Sequence, residues 1–400
     1  MNKLSITGLD VQGKRVLMRV DFNVPQQDDG SVRDDTRIRA ALPSIQYVRE
    51  HGGKLVLMSH LGRPKKAKGD AAKLALLKMD PVADRLHELV GGNVKKLDQL
   101  VGPEVETAVA AMQPGDIILL ENTRFDPREE ANDPELSKAL ARLGDVYVSD
   151  AFGTMHRAHA STVGVTEFIS PCAAGFLAAK EIEFFSKVLH NPDRPLVAIL
   201  GGAKVQGKIE VIDNLLNLVD VLLIGGGMTY TFFKAQGLEI GDSLLDEEGL
   251  EAARGALAKA KSRGVPLHLP VDIVLADAFS EDANVKVVPA DGIERGWQGL
   301  DIGPKTTENF IAAVKKSKMV VWNGPVGVYE MRPFSRGTQA LAEALAAANT
   351  TSIIGGGDSA SAVEHFGLAG KMSHVSTGGG ASLEMLEGKT LPGVAALTDN

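Results

Sequence analysis

The chain has 400 residues, 44% of them apolar and 24% charged, which excludes a disordered or fibrous polypeptide and exceeds what one ordinary core accommodates. A net charge of -8 argues against general affinity for nucleic acid. The lone cysteine, Cys172, excludes an internal disulfide or a cysteine-based metal cage and reads as a small buried apolar residue.

In chain order, the N-terminal MNKLSITGLDVQGKR lacks the apolar core of a signal peptide. No uninterrupted apolar run approaches ~18 residues. A soluble, cytoplasmic protein with no membrane partner is therefore expected. Near-continuous Val, Ile and Leu predicts strands at RVLMRV (15–20), KLVLMS (54–59), DIILLE (116–121) and DVYVSD (145–150). Such strands suit a parallel sheet covered on both faces. ELSKALARLG (135–144) predicts a helix with Leu136, Leu140 and Leu143 on one stripe and Gly144 as its stop. Residues 172–190 read as one helix, with Ile182, Phe185 and Leu189 on one side and Asn191-Pro192 and Pro195 ending it.

A second strand series follows at PLVAIL (195–200), DVLLIG (220–225), MVVW (319–322), TSIIG (351–355) and MSHVS (372–376). KIEVIDNLLNLV (208–219) predicts a helix with a stripe of Ile209, Ile212, Leu216 and Val219. This alternation predicts an α/β protein with two doubly wound, Rossmann-like parallel-sheet domains. They are expected at residues 1–171 and 191–378, joined by the long helix 172–190.

Ligands of open α/β sheets bind beyond the carboxyl ends of the strands. In the first half these ends read DFN (21–23), SHLGR (59–63), ENTR (121–124) and DAFGTMHRAH (150–159), with DDTRIRA between the first two strands. They bring Asp21, Asn23, Arg37, His60, Arg63, Arg124, His156, Arg157 and His159 to one edge. Arginine suits planar, bidentate recognition of carboxylate and phosphate, so this rim points to a small, multiply anionic ligand. Asp21 and Asn23 would accept hydrogen bonds from ligand hydroxyls or orient Arg37. The H-x-x-H pair His156 and His159 has no evident third ligand, and a zinc site is not expected.

The strand ends of the second half carry glycine: GGAKVQGK (201–208), GGGM (225–228), WNGPVGVYE (322–330), GGGDSAS (355–361) and STGGGAS (376–382). Glycine lets backbone N–H groups approach a phosphate, and a following helix N-terminus adds favourable partial charge. Lys204 and Lys208 supply positive charge, and Asp358 opens a predicted helix where it would cap the helix or hold magnesium beside a polyphosphate. Gly202, Gly207 and Lys208 match the spacing of a Walker loop, but Ile209 stands where that loop needs a hydroxyl. Gly355 to Ala360 fits a dinucleotide fingerprint, yet no acid follows MSHVS, which argues against a nicotinamide cofactor.

Taken together, RVDFNVP, DDTRIRAALPSI, SHLGRP, LLENTRF, DAFGTMHRAHAST, AILGGAKV, LIGGGM, VWNGPVGVYE, IIGGGDSAS and VSTGGGASLEMLEGKTLPGV resemble the phosphoglycerate kinase family along the whole chain. The resemblance implies an N-terminal 3-phosphoglycerate domain, a C-terminal nucleotide domain and an active-site cleft between them. It further implies that segment 379–400 returns to the N-terminal domain. Matched motif by motif, it implies Asp21, Asn23, Arg37, His60, Arg63, Arg124 and Arg157 as acid-substrate ligands. Lys204, Lys208, Gly226, Asn323, Glu330, Gly355, Gly356, Gly357, Asp358 and Ser359 are the implied nucleotide ligands, with magnesium on Asp358. Gly207, Ser359 and Tyr329 depart from the residues usual in the family.

The implied reaction is reversible phosphoryl transfer from 1,3-bisphosphoglycerate to ADP, giving 3-phosphoglycerate and ATP, in glycolysis and gluconeogenesis. The acceptor in the ATP-consuming direction is a carboxylate, already ionised at neutral pH, and needs no general base. Catalysis then rests on alignment and charge neutralisation. Arg37 and Lys208 are assigned to the moving phosphoryl group, aided by backbone N–H groups around Gly379. A monomer acting on small molecules by hinge closure is the family expectation.

Overall fold

The computed structural model describes residues 2–92 and 94–400. The chain divides into two compact units, Met1–Glu183 with Thr390–Asn400, and Phe184–Lys389.

The first unit is built on a six-stranded sheet. Its strands are β1 (Arg15–Val20), β2 (Lys54–Met58), β3 (Val94–Lys96), β4 (Ile117–Leu119), β5 (Val146–Asp150) and β6 (Cys172–Ala174), in the order β3-β4-β2-β1-β5-β6. All neighbours pair in parallel. Burial on both faces explains the apolar runs, since Val16, Leu17, Met18 and Val20 are all inaccessible to solvent. The strand order reverses at β1 and β5, so the loops after these two strands flank the switch point where such sheets place ligands.

The second unit holds another all-parallel six-stranded sheet. It comprises β7 (Leu196–Leu200), β8 (Val221–Ile224), β9 (Leu267–His268), β13 (Met319–Asn323), β14 (Thr351–Gly355) and β15 (His374–Val375), ordered β15-β14-β13-β7-β8-β9. Its switch point lies at β7 and β13. Its packed face combines Val197, Ile199, Val320, Trp322 and Ile354 with Phe310, Leu341 and Val363. Between β9 and β13 an antiparallel sheet is inserted, formed by β10 (Asp272–Ala276), β11 (Val285–Pro289) and β12 (Gln298–Ile302) in the order β11-β10-β12. This sheet adds three strands to the expected architecture.

Three local expectations change. The helix expected over 172–190 starts at Phe176, because Cys172–Ala174 pair with Tyr147–Ser149 as a sheet-edge strand. Tertiary pairing here overrides the helical propensity of alanine. Cys172 itself is buried. The segment grouping with the first unit begins at Thr390, not at 379; helix Gly380–Leu386 belongs to the second unit. The tail is held by Leu4 N–H donating to Thr398 O at 2.8 Å, Gly393 N–H to Met155 O at 2.8 Å, and a Lys3–Asp399 ion pair at 2.7 Å. Finally, Ile209 does not open a buried stripe. It is 37% exposed, while the expected Ile212, Leu216 and Val219 are buried, together with Val211 and Leu215. Among the described residues, no helix is long and apolar enough to cross a membrane.

Candidate active site

In the first unit the loops after β1, β2, β4 and β5 gather the basic residues. Asp21 pairs with the Arg37 guanidinium from helix Thr36–Glu50. Asn23 Oδ1 accepts from Gly62 N–H at 2.8 Å, which ties the loop after β1 to the loop after β2. Arg124 donates to Gly62 O at 3.0 Å and lies 3.5 Å from Glu130. Arg157 is exposed and donates to His156 Nε2 at 3.0 Å. Arg63 is exposed, with no side-chain hydrogen bond or ion pair among the described residues.

These groups feel one another's charge. Burial, then Arg19, Arg124, Arg37 and His159, holds His60 well below the usual imidazole range. Burial and the neighbouring Arg19 and Arg124 push His159 down to about 4. Burial also lowers Arg124, with Glu130 opposing and Arg19 and Arg157 adding to the effect. Cations that depress one another's protonation make a positive field, which an anionic ligand relieves. Arg19 was missed by the sequence reading. It is 1% exposed in β1, donating to Ser161 Oγ at 2.8 Å and to His60 Nδ1 at 3.1 Å. A charged residue inside the apolar run RVLMRV was the available signal.

In the second unit the glycine-rich loops bind one another through their backbones. Gly201 N–H donates to Asn323 O at 2.9 Å, Gly226 N–H to Val326 O at 3.0 Å and Met228 N–H to Gly202 O at 2.9 Å. They enclose a basin of about 420 Å³ whose lining includes Gly202, Lys204, Lys208, Asn323, Gly356, Gly357, Asp358 and Gly379. Lys208 Nζ donates to Gly201 O at 2.7 Å, Asn323 O at 3.1 Å and Asn323 Oδ1 at 2.6 Å. Desolvation lowers its pKa to about 8, partly offset by Asp358. Gly324 has φ +95, and a Cβ there would stand 2.3 Å from Gly201 O and 2.8 Å from Lys208 Nζ, so only glycine permits this approach. Gly207 is different, since an added Cβ would meet nothing within 4 Å.

Ser359 is buried, with its hydroxyl accepting the Gly324 N–H; its contact is with the loop. Gly355 ends β14. The amide of Gly378 is occupied, donating to Ser376 Oγ at 3.1 Å. Asp358 is the acid lining this basin, near the start of helix Gly357–His365. No group of three His, Cys, Asp or Glu among the described residues could hold a metal alone. A single exposed carboxylate fits magnesium whose remaining ligands come from phosphates and water.

A second cavity of about 650 Å³ adjoins the first through Gly202, Ala203 and Asp358. Its lining includes Gly226, Leu244, Phe279, Val326, Glu330 and Met331, an apolar chamber with an exposed acid at its edge. Leu244 and Phe279 had not been singled out; both are exposed apolar residues, a property invisible in sequence.

A family model described as phosphoglycerate kinase matches residues 6–389. The chain belongs to the phosphoglycerate kinase family. Curated phosphoglycerate kinases from Synechococcus elongatus and Chloroflexus aggregans are 56% and 55% identical, the first over 99% of this chain and 98% of its own, the second over 100% of each. The phosphoglycerate kinase structure from Coxiella burnetii superposes with a TM-score of 0.91 at 43% identity, covering 98% of both chains. That from Pyrococcus horikoshii gives 0.83 at 30%, again covering 98% of both. This family member thus carries its fold along the whole chain.

Proposed function

We propose that the chain is a phosphotransferase moving a phosphoryl group reversibly between 1,3-bisphosphoglycerate and ADP, giving 3-phosphoglycerate and ATP. The observation carrying this reading is the division of chemistry between the units. One holds a mutually repelling Arg–His rim, and the other a glycine-lined basin with Lys208 and Asp358. Asp21, Asn23, Arg37, His60, Arg63, Arg124 and Arg157 serve the acid substrate. Lys204, Lys208, Gly226, Asn323, Glu330, Gly355, Gly356, Gly357 and Asp358 serve the nucleotide, with Ser359 supporting the loop.

The three acceptors now holding Lys208 are neutral oxygens, so an incoming phosphate oxygen competes favourably for its ammonium. Arg37 and Lys208 neutralise charge on the transferring group, and the carboxylate acceptor needs no base. Asp358 would hold magnesium, which, when bound, neutralises the nucleotide phosphates. Direct transfer calls for a hinge movement that joins the two half-sites, and scattering should register compaction only with both substrates present. The protein acts as a monomer in the cytoplasm on this reading. The deciding assay mixes purified protein with ATP, magnesium and 3-phosphoglycerate and traps acyl phosphate with hydroxylamine. Absence of acyl phosphate would sink the proposal.

A further inference from the structure

Behind the basic rim of the first unit lies a buried polar chain. Glu129 is 0% exposed. Its carboxylate accepts the Ser161 N–H at 2.9 Å and the Ser161 hydroxyl. Because that hydroxyl donates to Glu129, its lone pairs are left for the Arg19 Nε–H, 2.8 Å away. Arg19 also donates to Val20 O and reaches His60 Nδ1 at 3.1 Å. Ser161 and Arg19 are 0% and 1% exposed, and His60 5%. Such a chain is expensive unless every member is satisfied, so it calls for an explanation.

We propose that Glu129 is a positioning residue which, through Ser161 and Arg19, fixes His60 as a neutral imidazole protonated at Nε2 and sets the path of the Arg157–Ser161 segment. Arginine has no acceptor and stays charged, so a hydrogen bond between Arg19 Nη2 and His60 Nδ1 requires Nδ1 to accept. The ring proton then sits on Nε2. Charge around His60 acts in the same direction: Arg19 from β1, Arg37 from helix Thr36–Glu50, Arg124 after β4 and His159 after β5 all disfavour imidazolium. The second arm of the proposal is mechanical. Glu129 holds the segment twice, its backbone carbonyl accepting Ala160 N–H at 2.9 Å and its side chain accepting Ser161 N–H. Arg157 and His159 lie immediately before these anchors. Glu129 thus offsets the charge of Arg19 and places two basic residues, while touching no ligand itself. The consequence for substrate rests on the reading of this rim as the acid-substrate site.

The test uses the full-length, ligand-free protein labelled with 15N. Imidazole nitrogen correlations should show His60 as a single Nε2–H tautomer that does not titrate between about pH 5 and pH 8. Glu129→Gln should give mixed His60 tautomers, because Arg19 is no longer held through Ser161. It should also raise KM for 3-phosphoglycerate about ten-fold while nucleotide KM stays within about two-fold. Ser161→Ala, which keeps the carboxylate and removes only the relaying hydroxyl, should do the same and decides alone where Glu129→Gln does not fold. Folded variants with an unchanged His60 signature would overturn the relay. A changed signature with unchanged KM for 3-phosphoglycerate supports the relay and overturns the assignment of this rim to the acid substrate.

Discussion

The Lys208 ammonium lies 2.6 Å from Asn323 Oδ1 and 3.1 Å from the carbonyl of the same residue, tying the segment after β7 to the end of β13. With Gly201 O it has three acceptors and little solvent, and desolvation brings its pKa down to about 8. The sign follows directly. Lys208 is charged below that pH and loses its proton as pH rises through it, earlier than an ordinary lysine. kcat/KM for nucleotide, which reports the free enzyme, should therefore fall above about pH 8. Lys208→Arg should remove that alkaline limb, because guanidinium stays charged. Lys208→Ala should lower kcat by about two to three orders of magnitude and leave 3-phosphoglycerate affinity intact.

Arg63 and Arg124 should separate binding from stability. Either change to alanine is expected to raise KM for 3-phosphoglycerate about 10- to 100-fold. Arg63 is exposed, so Arg63→Ala should leave unfolding free energy within about 0.5 kcal/mol. The Arg124 side chain is only 11% exposed and donates to Gly62 O, so Arg124→Ala should cost about 1–2 kcal/mol as well. Denaturant titration beside steady-state kinetics checks both. Equal stability losses would contradict this account of the rim.

Much of this site could be read from the sequence because strand ends in parallel sheets project ligand residues to one edge, and the loops after β1, β2, β4, β5, β7, β13 and β14 follow apolar runs directly. What could not be read has specific causes. Arg19 stands out as a charge within an apolar strand, but its role was not legible because its partners, Ser161 and His60, are distant in sequence. The inserted sheet escaped because β11 alternates between exposed and half-buried positions and β12 contains Gly299, so neither reads as an apolar run. Ile209 lies about 90° around the helix from the centre of the face that Val211, Ile212, Leu215 and Leu216 bury. Gly207, which departs from the residue usual in the family, meets no steric demand for glycine.

Asp358 has two consequences that different measurements isolate. As the acid of the basin, its change to asparagine should raise the magnesium concentration needed for half-maximal rate. It also raises the Lys208 pKa through charge attraction. Asp358→Asn should therefore shift the alkaline limb of the nucleotide profile to lower pH. An unmoved limb would show that Asp358 and Lys208 are not electrostatically coupled in solution.

Asp150 offers a stability test away from substrate. It ends β5, is 1% exposed, and its Oδ1 accepts from Ala178 N–H at 3.1 Å in the first turn of helix Phe176–His190. Its Oδ2 has no hydrogen-bond partner among the described residues. Burial raises its pKa from 3.8 to about 6, against the weaker pull of hydrogen bonds from Ser44, Ala178 and Leu177. A carboxyl whose folded pKa is raised favours folding when protonated and disfavours it when ionised. The stabilisation is fully present below about pH 4 and is lost as pH rises through about 6, leaving a cost of up to about 3 kcal/mol at pH 8. Asp150→Asn keeps the acceptor for Ala178 and cannot ionise. The variant should therefore be the more stable protein at pH 8, with its advantage shrinking between about pH 6 and pH 4. Unfolding free energies of the two proteins across that range decide it, and a pH-independent difference would show that Asp150 ionises without penalty in the folded chain.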